Sequence, residues 1–61
     1  MRTWYCVKSV FGPDGLMSAG IVETIEQDAR PEDRMERHNN FDVYHEWFIS
    51  KESALNFIKT Q

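Results

Sequence analysis

Residues 3 to 11, TWYCVKSVF, pass through aromatic and branched side chains without a breaker, which predicts a strand. GPDG at 12 to 15 follows. Proline pre-sets the first turn position, aspartate tolerates the second, and glycine supplies a positive φ for re-entry, so a hairpin is expected. The return strand runs from 16 to 26. Period-two alternation puts Met17, Ala19, Ile21 and Ile25 on one face with Glu23 interrupting, and Gly20 marks a bulge or a close backbone approach. From 27 to 40, QDARPEDRMERHNN changes character. It is dense in charge, with Met35 as its one large apolar residue, and forms a charged connector. Pro31 fits the first turn of a short helix that Asn39 or Asn40 would end, while a loop or an extension of the next strand competes with that reading.

FDVYHEWFI, 41 to 49, predicts a third strand, with Phe41, Val43, His45, Trp47 and Ile49 on one face and Asp42, Tyr44, Glu46 and Phe48 on the other. Ser50 is a natural N-cap, and 51 to 60 continue as an amphipathic helix with Ala54, Leu55 and Ile58 on its apolar stripe and Phe57 beside it. The expected fold is α+β, a three-stranded antiparallel sheet in β-β-β-α order with one C-terminal helix packed on one face. Three strands span roughly 14 Å, and a helix about 10 Å wide covers one face and leaves the other bare. The helix-facing set expected from this pattern is Met17, Ile21, Ile25, Phe41, Val43, Trp47, Leu55 and Ile58. The first strand has no unique phase, because Tyr5, Val7 and Phe11 compete with Trp4, Cys6 and Val10 for the core side.

The bare face then carries Tyr44 and Phe48, with Trp4 as a further candidate, bordered by the acids Asp42 and Glu46. An aromatic patch of this kind is a candidate protein-binding surface. The competing account has the connector folding over it.

Length and charge sharpen the picture. Sixty-one residues make one small domain that buries roughly 60% of its unfolded surface, so association with a partner or a second copy is the cheapest added support. Cys6 is the only cysteine, which excludes an internal disulfide and suits a reducing cytoplasm. The first residues have neither the apolar run nor the cleavage site of a secretory signal, and no stretch is long enough to span a membrane. Seven basic residues against ten acidic give a net charge of −3, which argues against a general nucleic-acid binder. Arg30, Arg34 and Arg37 would share one face of a helix as a candidate anion or phosphate contact. The interleaved Asp28, Glu32, Asp33 and Glu36 favour a self-neutralising segment instead.

Catalytic and metal chemistry find little support. His38 and His45 lack a paired ligand spacing, and His45 reads as a partly buried residue bonded to a neighbour. Cys6 reads as a buried structural thiol rather than half of a thiolate–imidazole pair. No nucleophile elbow and no phosphate-cradling glycine loop is present. The expectation is a protein that is not an enzyme and uses no metal and no cofactor.

WYCVKSVFGPDG and NFDVYHEWF, together with the length, resemble small early-region proteins of lambda-like phages and prophages. The resemblance implies an accessory factor made in the bacterial cytoplasm, of a kind that often acts by binding a host protein, and it carries no functional residues with it. The functional expectation is therefore a protein-interaction module with a host protein as partner. A nucleic-acid-associated protein and a homodimer are the alternatives.

Overall fold

The computed structural model describes residues 1–61 as β1 (Arg2–Gly12), β2 (Gly15–Gln27), β3 (Arg34–His38), β4 (Phe41–Phe48) and α1 (Lys51–Lys59). All pairings are antiparallel, and the strand order is β2-β1-β4-β3. The α+β class and the single C-terminal helix agree with the sequence pattern. The sheet has four strands instead of three.

The extra strand comes from the charged connector. Residues 34 to 38, RMERH, are all exposed, and their spacing suits a helix. A strand forms because β4 offers an unpaired edge and Asn39-Asn40 turns the chain back onto it, Asn39 adopting the left-handed region at φ 51°. Arg37 lies directly opposite Asp42, and its Nε donates to the carboxylate at 2.9 Å. Asn39 and Asn40 thus close a hairpin, not a helix.

The β1–β2 hairpin forms as expected, with Gly12 opposite Gly15 and Gly15 at φ 111°. Gly12 also permits a close approach, since a Cβ there would sit 2.6 Å from the Met17 Sδ. Two register shifts then break the alternation of β2, one between Cys6 and Val7 and one between Val10 and Phe11. Val22 and Met17 are the extra residues. Ile25 therefore lies opposite Trp4, whereas Ile21 and Ala19 lie opposite Val7 and Ser9 on the other face. The single apolar face expected for β2 is split, and Gly20 is neither at a shift nor crowded by another backbone.

Ser50 caps α1, accepting from the Ser53 amide at 3.1 Å. Ala54 is fully buried, Phe57 and Ile58 are half-buried, and Leu55 is exposed, so the packed stripe runs one position away from the one expected. The larger correction concerns the face that α1 covers. Phe57 packs on Phe48 with ring centroids 4.9 Å apart, and Gln61 Nε2 donates to the buried Ser9 Oγ at 3.0 Å. The helix thus packs on the face that carries Tyr5, Val7, Ser9, Phe11, Tyr44 and Phe48, while Trp4, Cys6, Val43 and Trp47 lie on the opposite face.

Both candidate phases of β1 are consequently buried, one on each side. Trp4 and Trp47 are only 5% and 8% exposed although no helix covers them. They pack with Cys6 and Ile25, and the connector 28–33, which joins the two edge strands, bonds to the backbone of Trp47. The Trp4 indole donates to Gln27 O at 2.9 Å. Beyond the end of β3, Asp33 Oδ1 accepts from the Trp47 amide at 3.1 Å and Arg30 Nη2 donates to Trp47 O at 3.0 Å. The same Arg30 nitrogen bonds both Asp33 oxygens, at 3.0 and 3.2 Å. An ion pair therefore takes the place of the missing strand neighbour.

Replacing Asp33 with alanine leaves the Trp47 amide without its acceptor and should cost about 1–2 kcal/mol in urea unfolding. Glu32→Ala, next to it but exposed and unbonded, should stay within about 0.5 kcal/mol of the parent protein. Equal losses for the two would show that Asp33 does not hold the connector.

Candidate functional site: a groove beside the helix

α1 reaches only part of the face it covers. Along its C-terminal end lies a groove of about 440 Å³, open to solvent and lined by Phe11, Asp42, Tyr44, Glu46, Phe57 and Gln61. Strand geometry supplies one side. Asp42, Tyr44 and Glu46 alternate along β4 and so project from the same face, and Phe11 stands opposite Asp42 on β1. Phe11 and Tyr44 meet edge to face, with centroids 5.6 Å apart and planes at 87°. The helix supplies the other side through Phe57, and Gln61, two residues past the end of α1, completes it, held by its bond to Ser9.

The charges around this groove are unevenly matched. Asp42 is paired with Arg37, and that hydrogen bond and charge raise the guanidinium pKa further. Asp33, just before β3 at the edge of β4, is paired with Arg30. Glu46 accepts no hydrogen bond from any side chain or backbone group and has no cation within ion-pair distance. Burial pushes its carboxyl above the usual range, the neighbouring Asp33 pushes it further, and Arg30 only partly offsets both.

Of the residues singled out from sequence, the fold brings Asp42, Tyr44 and Glu46 together. Phe48 shares their face but is engaged by Phe57 beneath the helix. Trp4 lies on the opposite face, buried and bonded through its indole, so it contributes to the core and not to this surface. Phe11, Phe57 and Gln61 were not singled out. The offset of Phe57 three residues after Ala54 was the one signal for it, and nothing local marks Gln61.

The arginine row is dispersed, because 34 to 38 is a strand. Arg34 pairs across from His45 on the tryptophan face, Arg37 points to the groove side, and Arg30 is spent on Asp33 and Trp47. Cys6 and His45 share the tryptophan face but are not opposite one another, their partners being Trp47 and Lys8. Burial raises the Cys6 thiol, helped by Glu23 and Asp33 and opposed by Arg34, which disfavours a thiolate. His45, expected to bond a neighbour, keeps its buried Nδ1 without a partner. His38 Nε2 instead meets Glu36 Oε2 at 3.0 Å, and that bond lowers the Glu36 carboxyl. No three histidine, cysteine or acidic side chains converge as metal ligands.

No family model, curated protein or solved structure matches the chain. No helix is long and apolar enough to cross a membrane.

The raised Glu46 carboxyl has a consequence for stability. A carboxyl whose folded pKa exceeds its unfolded value binds more protons in the native state, so ionisation weakens the fold, and the penalty disappears as pH falls through the folded pKa. Glu46→Gln should therefore melt above the parent protein at pH 7, with the gap closing by about pH 4. A gap that widens on acidification would reverse the assigned sign.

Proposed function

We propose that this protein is a non-enzymatic interaction module that holds a partner protein in the groove between α1 and β4. The observation that carries this reading is the arrangement of Phe11, Tyr44 and Phe57 around a concave strip edged by Asp42 and Glu46. Aromatic rings with a polar rim are what protein interfaces select, because rings contribute large contact area at little entropic cost. The resemblance to early-region phage proteins supports an accessory factor in the bacterial cytoplasm with a host protein as the target. The dispersal of the arginines leaves the nucleic-acid alternative without the row of phosphate contacts it invoked, and the protein-binding reading is preferred.

A homodimer is the second reading, and β2 favours it. This 13-residue strand is an edge of the sheet, with Leu16, Met17 and Val22 exposed along it. It ranks behind the groove because the irregularities at Val22 and Met17 twist the edge away from a flat pairing surface.

A pull-down from bacterial lysate, treated with nuclease and read by mass spectrometry, tests the first reading. The parent protein should retain one dominant protein, and Tyr44→Ala, still folded by circular dichroism, should lose it. Retention unchanged by Tyr44→Ala would remove the groove from the interface. A mass that doubles with concentration in light scattering would favour β2 pairing instead.

A further inference from the structure

Glu46 poses a specific question within this groove. Each of the two nearby arginines is already committed, Arg37 to Asp42 at 2.9 Å and Arg30 to Asp33 at 3.0 Å. Glu46 is left as the half-buried carboxylate without a cation or a hydrogen-bond donor, beside Tyr44 and Phe57 and facing open space. A protein that buries part of a carboxylate without pairing it bears a desolvation cost, and an incoming donor relieves that cost on binding.

The occupants of the groove differ sharply in what they would do to that carboxylate. An acidic segment would meet the unpaired Glu46 carboxylate and be repelled. A purely apolar side chain would complete the desolvation of Glu46 and give nothing back. A lysine or arginine side chain lays a long methylene stem along the rings of Phe11, Tyr44 and Phe57 and delivers its charge to the carboxylate. Its cation also gains from the faces of the aromatic rings. The net charge of −3 adds a long-range pull in the same direction.

We propose that the groove is a receptor for one basic side chain of the partner protein, with Glu46 as the anion that pairs it and Phe11, Tyr44 and Phe57 as the walls that receive its stem. This deepens the interaction-module reading and rests on it. Asp42, held by Arg37, sets the far rim and excludes acidic neighbours of the bound residue.

The test is amide-resolved NMR on the 15N-labelled full chain, titrated with acetyl-Gly-Lys-Gly-amide and with the same peptide carrying norleucine, which keeps the stem and removes the charge. The lysine peptide should give saturable shifts at Tyr44, Glu46 and Phe57. Its affinity should fall about tenfold in Glu46→Gln, with the norleucine peptide about as weak on the parent protein. Added salt should weaken the lysine peptide and leave norleucine unchanged. Absence of shifts at those residues, equal binding of the two peptides, or full binding to Glu46→Gln would each overturn the proposal. The pull-down separates its failure from that of the module reading. A partner lost with Tyr44→Ala but kept with Glu46→Gln preserves the groove and removes the cation. A lysine peptide that binds as expected beside a partner indifferent to Tyr44→Ala preserves the cation site and removes the module's interface.

Discussion

The structure depends on a central strand that must be covered on both sides. Cys6 and Val7 are consecutive on β1, 1% and 0% exposed, and project to opposite faces. A chain of this size has one helix, and one helix covers one face. The second face is closed by Trp4 and Trp47, whose large rings pack with Cys6 and Ile25, and the connector between β2 and β3 is tied to the backbone of Trp47. The Arg30–Asp33 pair makes that tie specific, because it occupies both backbone groups of Trp47 where β3 has ended. Surface ion pairs contribute little on average. This one matters through the hydrogen bonds it directs at a partly buried strand end.

The placement of the helix follows from the same division of labour. With the tryptophans closing one face, α1 packs on the other, with Ala54 fully buried and Phe57 against Phe48. Nine residues cannot cover four strands. The stretch of β4 alongside Phe57 and Gln61 stays open, and the groove is the uncovered remainder of the helix-side face. Its chemistry is inherited from β4, where strict alternation sends Asp42, Tyr44 and Glu46 to one side.

The groove also shows how electrostatic satisfaction in a small protein is distributed. Arg37 and Arg30 serve structural ends, the first tying β3 to β4 across the sheet and the second tying the connector to Trp47. Both neutralise acids near the groove, yet neither reaches Glu46. The result is a groove compensated at Asp42 and uncompensated at Glu46, next to aromatic rings. Exposed apolar positions such as Val22 on β2 and Leu55 on α1 lie outside this groove.

The hairpin at GPDG, the cap at Ser50, the C-terminal helix, the two faces of β4 and the α+β class were all legible locally. Each rests on a turn residue, a capping hydroxyl or a period that neighbouring residues set among themselves. Asp42, Tyr44 and Glu46 shared a face on the same grounds. Tertiary structure decided the rest. RMERH became a strand because a distant edge on β4 was free to pair, and that pairing overrode helical spacing. The alternation of β2 was broken by extra residues at Val22 and Met17, which only its register with β1 reveals. Trp4 moved from the presumed contact surface into the core, and Phe57 and Gln61 entered the groove, because the choice of face for α1 depends on which side the tryptophans and the connector already close. Local sequence sets periods and turns. The face a residue meets is a property of the elements packed against it, and those lie far away along the chain.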